Sequence, residues 1–254
     1  MGEDRPRRRA AQRGPLITRE DDPEAGDRTR AGAFFGRRKG HPLRPHQAAL
    51  MQSLLPRLAL DLAAPAPAGL TELFTQAPDD VGLEIGFGGG EHLAAEAAAR
   101  PRMGFIGCEP FVNGMAKALT LIEAQNLGNI RLHFGDASDL IAWLPSASLA
   151  RLDLLYPDPW PKRRHWKRRF VQDASVAALA RVLRPGSMFR FATDWADYAE
   201  WTLERLVRSP AFTWTAERAD DWRMPWPGFT STRYEAKAKT AGRAPCYLVF
   251  RRVG

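Results

Sequence analysis

The sequence predicts an α/β fold, a doubly wound and mostly parallel sheet. Three observations lead there. Short apolar runs alternate with Ala-rich or amphipathic segments between Val81 and Arg208, at the spacing of right-handed crossovers. The first apolar run ends in a glycine cluster, Gly86-Phe87-Gly88-Gly89-Gly90. Later runs end in carboxylates: Glu109, Asp136, Asp158 and Asp194. Sheets of this kind bind ligands at the carboxyl ends of their strands.

Taken in order, residues 1–30 are rich in Arg, Asp, Glu, Pro and Gly. They bury too little apolar surface to fold and are expected to form a disordered basic tail. Residues 31–254 are then one domain, with 31–78 a basic loop and helix and 79–254 the core. The run from Phe34 to Arg44 mixes aromatic and basic residues around two glycines. It suits a phosphate-binding surface, or more plainly a loop that keeps the chain in solution. A helix is expected from His46 to Leu60, interrupted by Pro56, and Pro65, Pro67 and Pro78 mark a linker.

Strands are expected at Val81 to Phe87, Met103 to Glu109, Asn129 to Phe134, Leu152 to Tyr156 and Met188 to Ala192. Helices are expected at Glu91 to Arg100, up to about Gln125, at Arg168 to Leu183 and at Trp195 to Arg208. Arg184-Pro185-Gly186 stops the third of these. A last strand, Tyr247 to Phe250, is expected to run antiparallel at or near an edge.

The 254 residues carry a formal net charge of +8, which points to a polyanionic partner, nucleic acid before anionic membrane. Cys108 and Cys246 are the only cysteines, so no disulfide framework is expected and a reducing cytoplasm is the simplest setting. No apolar run reaches the length of a membrane span, and no secretory signal opens the chain. The five histidines lack zinc-binding spacing. Neither metal nor membrane is expected, and the chain is compatible with a monomer or a homodimer.

The glycine turn reads Glu84-x-Gly86-x-Gly88-x-Gly90 and does not fit the dinucleotide pattern G-x-G-x-x-G. An acid before the first glycine repels pyrophosphate and suits a cationic ligand. S-adenosylmethionine carries an ammonium, a sulfonium and no phosphate. Glu84, Gly86 and Gly88 are the candidate turn for it, with Glu109 facing ribose hydroxyls and Asp136 the adenine amine. The plainer readings are a tight turn or a nicotinamide site.

A second stretch, Leu154-Leu155-Tyr156-Pro157-Asp158-Pro159-Trp160-Pro161-Lys162, ends an apolar run in a carboxylate stiffened by prolines. A basic block, Arg163 to Arg169, follows at once. Asp158 is the candidate for chemistry on a nucleic acid, against a helix cap or turn carboxylate. Lys162 lies near it, and Arg164, His165, Trp166, Lys167, Arg168 and Arg169 are the candidate phosphate contacts, against a solvated face. Asp194 either shares base recognition or caps the helix that starts at Trp195.

These pieces, together with Phe35-Gly36-Arg37-Arg38-Lys39-Gly40, Gly135-Asp136-Ala137, Thr193-Asp194-Trp195 and Thr232-Arg233-Tyr234-Glu235, resemble the bacterial tRNA (guanine-N7-)-methyltransferase family. The resemblance runs from about Phe35 to Arg251. It implies a Rossmann-like class I methyltransferase that moves a methyl group from S-adenosylmethionine to N7 of a guanosine in the tRNA variable loop. It implies cofactor contacts from Glu84, Glu109 and Asp136, and places Asp158 at the catalytic centre and in contact with the cofactor as well. It gives substrate contacts to Lys162, Asp194 and Thr232, Arg233, Tyr234 and Glu235, and RNA contacts to Arg164 through Arg169. Tyr234 stands where Phe is common, and Trp166 interrupts the basic run. Glu235 meets either the methionine end of the cofactor or the base. The rival readings are a methyltransferase for another RNA base and a non-catalytic RNA-binding protein on the same fold.

Overall fold

The computed structural model describes residues 35, 36 and 38–254; the expected tail over residues 1–30 lies outside the described residues. Near the start stand α1 (Pro45–Ser53) and α2 (Leu55–Leu58), split at Leu54 as Pro56 requires, and a short 3-10 helix (Leu70–Leu73). The alternating part runs β1 (Asp80–Ile85), α3 (Glu91–Ala99), β2 (Met103–Cys108), α4 (Val112–Ala124), β3 (Ile130–His133), α5 (Ala137–Trp143) and β4 (Leu149–Leu155). It continues with a 3-10 helix (Arg163–Arg168), α6 (Asp173–Val182), β5 (Leu183–Thr193), α7 (Ala196–Arg208) and β6 (Phe212–Trp214). The chain closes with α8 (Asp220–Arg223), α9 (Arg233–Thr240) and β7 (Cys246–Arg252).

The strands form one sheet of order β3-β2-β1-β4-β5-β7-β6. β1 to β5 are parallel; β7 runs antiparallel to both β5 and β6. The strand order reverses between β1 and β4, which is where a doubly wound sheet opens a crevice at its carboxyl ends.

Strand alternation sends residues to two faces. Leu83, Ile85, Leu152, Leu154, Phe189 and Phe191 enter the apolar core that α5, α6 and α7 cover. The opposite face of the same strands is charged. Glu84, Asp153 and Arg190 are neighbours across β1, β4 and β5, all buried. Arg190 grips Asp153 with two hydrogen bonds, Nε to Oδ1 at 2.6 Å and Nη2 to Oδ2 at 2.7 Å. Arg151 pairs with Glu96 of α3 at 2.6 Å, and His92 of α3 with Glu84 at 2.8 Å. Burial alone would raise the Asp153 pKa, but Arg190 and Arg151 outweigh it and hold the carboxyl at about 2. A second apolar cluster, built on Leu50, Phe105, Leu119 and Leu132, packs α1 and α4 against β2 and β3.

Two expected elements differ. β5 begins at Leu183 rather than Met188, because Arg184-Pro185-Gly186 makes an irregularity and not a break. The β4–β5 register passes from Leu149↔Leu183 to Arg151↔Met188, so β5 carries the extra residues. α6 begins at Asp173 rather than Arg168. The basic stretch before it sets Arg164 against Arg168 and Arg163 against Lys167 at i,i+4, which disfavours an α-helix. Gln172 then starts α6, with its N–H on Ser175 Oγ at 2.8 Å.

Asp153→Ala leaves Arg190 buried without its bidentate partner. Urea unfolding should show a loss of about 3–5 kcal/mol, and an unchanged midpoint would contradict the ladder as a stabilising unit.

Candidate active site

A cavity of about 340 Å³ opens at the carboxyl ends of β1, β2 and β4. Gly86 and Gly88 line it from the first turn, Cys108, Glu109 and Phe111 from the second strand end, and Asp136 from the third. Tyr156 and Asp158 line it from the fourth, and Phe35, Trp160, Arg168 and Tyr234 complete the wall.

The glycine turn is shaped for close approach. Gly86 has φ +70 and nothing within 4 Å of where a Cβ would stand, so it faces open cavity. Glu109 fastens the turn: Gly88 N donates to Oε2 at 2.7 Å and Phe111 N to Oε1 at 2.9 Å. Glu109 is only 6% exposed, and burial raises its pKa to about 7 in spite of those two bonds. Asp136 caps α5 by accepting from Ser138 N at 2.8 Å while lining the cavity. Glu84 is not brought to the cavity wall. One position before Ile85, its side chain takes the charged face of the sheet and meets His92. Burial alone would lower the His92 pKa, and the carboxylates of Glu84, Asp153 and Glu96 raise it instead.

Asp158 sits in a backbone of unusual shape. Tyr156 and Trp160 on either side hold φ of +50 and +43, values that non-glycine residues rarely adopt. The Asp158 side chain is reachable by solvent, yet the protein crowded round the loop desolvates it enough to raise its pKa above 3.8. Lys162 is exposed just beyond, at the start of the 3-10 helix.

The basic run divides in two. Arg164 and Lys167 are exposed, and His165 stands edge-on to Trp160 at 5.8 Å. Arg168 lies over the Trp160 ring at 5.0 Å and the Phe35 ring at 5.4 Å, inside the cavity wall. Trp166 packs edge-on against Trp201 at 5.4 Å. Arg169 departs from the expectation of RNA contact: it is 1% exposed, enclosed by Trp166, Tyr198 and Trp201. Its place directly after Arg168 hides this in the sequence.

Asp194 does not cap α7. Trp195 occupies that position without a side-chain cap bond, and Asp194 Oδ2 instead accepts from Arg243 Nε at 2.6 Å. Thr232 caps α9, accepting from Glu235 N at 3.1 Å. Glu235 is 1% exposed and its Oε1 accepts from Tyr247 Oη and Lys239 Nζ, both at 2.6 Å. Arg233 Nη2 donates to Tyr234 Oη at 2.9 Å, and the Tyr234 ring lies against Gly88. Sequence reading missed α9, Arg243 and the bond from Tyr247, expected only as a strand residue, to Glu235. Thr232-x-x-Glu235 is a capping signature that marks the start of α9; nothing local marks the other two. Among the described residues no helix is long and apolar enough to cross a membrane, and no group of three or more His, Cys, Asp or Glu side chains is arranged to hold a metal ion.

The folded chain keeps a proton on Glu109 up to about pH 7, whereas an ordinary glutamate releases it near 4.5. Stability is therefore lost as pH rises through that window. Glu109→Gln should flatten the slope, read as urea midpoints at intervals between pH 4.5 and 8, and an equal slope in both proteins would refute the shifted pKa.

Known proteins are similar to this chain over most of its length. A family model described as "Putative methyltransferase" matches residues 78–248. The tRNA (guanine-N(7)-)-methyltransferase of Nitrobacter hamburgensis is 66% identical over 221 residues, 87% of this chain and 87% of its own length. That of Bradyrhizobium diazoefficiens is 63% identical over 237 residues, 93% of this chain and 100% of its own length. Among solved structures, the 16S rRNA methyltransferase KamB superposes with a TM-score of 0.53 at 16% identity, over 75% of this chain and 95% of its own, a likeness of fold. Identity of this depth over most of the chain means that it belongs to the tRNA (guanine-N(7)-)-methyltransferase family.

Proposed function

We propose that the chain transfers a methyl group from S-adenosylmethionine to N7 of a guanine in tRNA, in the variable loop, with Asp158 at the reacting centre. The observation that carries the reading is the cavity itself. It joins an open glycine turn, the acids Glu109 and Asp136 and the Asp158 loop, with Arg168 as the basic residue in its wall. That donor set fits a ligand with positive charge and hydroxyl groups and disfavours a pyrophosphate. When bound, S-adenosylmethionine supplies an electrophilic methyl group on a cationic sulfur.

The chain's own residues do the rest. Gly86 leaves room for close approach, Glu109 accepts from ribose hydroxyls, and Asp136 accepts from the adenine amine. Glu84 supports the turn from beneath, its charge answered there by His92. N7 carries no proton, so Asp158 is not needed as a base. Its carboxylate accepts from the guanine N1–H and amino group and stabilises the charge that the purine gains. A stiff loop holds that carboxylate in line, so proximity supplies much of the rate. Trp160 and Tyr234 offer ring faces to a splayed base. Asp194, paired with Arg243, and Glu235, paired with Tyr247, fix the side of the site that takes the substrate. Lys162, Arg164 and Lys167 meet phosphates, and the reaction belongs to the cytoplasm, where tRNA is made ready.

Asp158→Asn should lower methyl transfer to unmodified tRNA by on the order of a hundredfold or more with S-adenosylmethionine affinity retained in calorimetry. Wild-type turnover should fall as pH drops through the raised pKa of Asp158, since the ionised form is the active one. A variant as fast as wild type would remove Asp158 from the centre. Arg164→Glu with Lys167→Glu should weaken tRNA binding and flatten its dependence on salt; an unaltered slope would make these residues a solvated face.

A further inference from the structure

We infer that Arg169 is a positioning residue for Asp158 and not an RNA contact: its guanidinium ties the Asp158 loop to the start of α7. The inference rests on the assignment of Asp158 to the reacting centre.

The loop needs an outside donor. Pro157, Pro159 and Pro161 have no N–H, so the loop can do little to hydrogen-bond itself. Its two left-handed residues, Tyr156 and Trp160, cost energy and persist only if neighbours hold them. On the entry side, Tyr156 N donates to Ala192 O of β5 at 2.7 Å. On the exit side, Arg169 Nε donates to Pro159 O at 2.9 Å, the carbonyl of the residue that follows Asp158. The same guanidinium donates through Nη1 to Asp197 O at 3.3 Å, in the first turn of α7 and three residues past Asp194. One side chain thus links the two strand ends that carry Asp158 and Asp194.

The surroundings of Arg169 fit such a bracket. No carboxylate pairs with it among the described residues; its charge rests on two carbonyls and three ring faces, Trp166 at 4.8 Å, Tyr198 at 4.9 Å and Trp201 at 5.1 Å. Bonds from a cation to a carbonyl are stronger than neutral ones, and ring faces oppose few competing donors. Gln172 secures the far end, with Nε2 donating to Trp166 O at 2.9 Å and to Arg169 O at 3.0 Å. At 1% exposure, Arg169 cannot reach a phosphate without dismantling this packing.

The test is steady-state methylation of unmodified tRNA by Arg169→Lys and Arg169→Gln, with tRNA binding titrated against salt. Lys keeps the charge but loses the fork that reaches both carbonyls. A bracket predicts a fall in kcat on the order of ten- to a hundredfold, with KM for tRNA and the salt slope as in wild type. An unchanged kcat overturns the proposal, as does a loss confined to tRNA affinity with the salt slope reduced by about one. Phenylglyoxal labelling of the wild-type enzyme, read by mass spectrometry, decides the matter even if the variants do not fold. Arg169 should stay unmodified with and without tRNA while Arg164 is labelled and then protected by it; labelling of free Arg169 that tRNA suppresses would make it a phosphate contact. Asp158→Asn in the same assay separates the two readings. If it is inactive and Arg169→Lys is not slowed, the bracket alone fails; if it keeps its rate, the assignment of Asp158 fails.

Discussion

Parallel strands impose one constraint that the rest of this structure depends on: whatever follows the last apolar residue of each strand lands on the same rim. Glu109, Asp136, Asp158 and Asp194 are far apart in the chain, yet β2, β3, β4 and β5 deliver them to one edge of the sheet. The pleat then decides which acids face the cavity. Ile85 lines it, and Glu84, one residue earlier, points to the opposite face and pairs with His92. A shift of one residue in β1 would exchange them.

The interior of the sheet and its carboxyl rim treat buried charge in opposite ways. Asp153 is surrounded by Arg190 and Arg151 and its carboxyl is held at about 2. Glu109, held by backbone N–H donors with Arg233 as only a lesser cationic influence, rises to about 7 because burial outweighs them. Burial acts on both in the same direction, and the partner decides the outcome. The ladder beneath α3 is already neutralised and serves to fix β1, β4 and β5 against each other. At the rim, Glu109 is held by the backbone N–H groups of Gly88 and Phe111, and Asp194 by the Arg243 guanidinium. Electrostatics thus separates framework from site within a single set of strands.

Much of this was legible in the sequence because it is local. Apolar runs, a glycine cluster and carboxylates after the strands are read from neighbours in the chain, and of the residues they mark, Gly86, Gly88, Glu109, Asp136 and Asp158 line the cavity. What escaped depends on tertiary contact. Pro185-Gly186 looked like a terminator and proved to be a bulge, since β4 supplies pairing on both sides of it. The basic run looked uniform, and only packing under Trp201 and Tyr198 distinguishes Arg169 from Arg164. Arg243 and Tyr247 reach Asp194 and Glu235 across the fold, with no signal in their own surroundings. Residues 1–30, expected to be a disordered tail, lie outside what the structure describes.

Methylation at a ring nitrogen with no proton removes the usual need for a general base, and the role proposed for Asp158 accounts for the rigidity of its loop. A base must be matched in pKa and free to exchange a proton. A group that only orients a purine and answers its new charge must instead be fixed before the reaction, because reorganisation would cost the stabilisation it offers. Three prolines, two left-handed residues and tethers at Tyr156 and Pro159 restrict the loop in that sense. The crowding that raises the Asp158 pKa belongs to the same arrangement: a carboxylate stripped of part of its water gains more from a nearby cation than one in open solvent. On the role proposed for Asp158, such a loop is better matched to the guanine after it has become a cation than before, which is the condition for catalysis by differential binding.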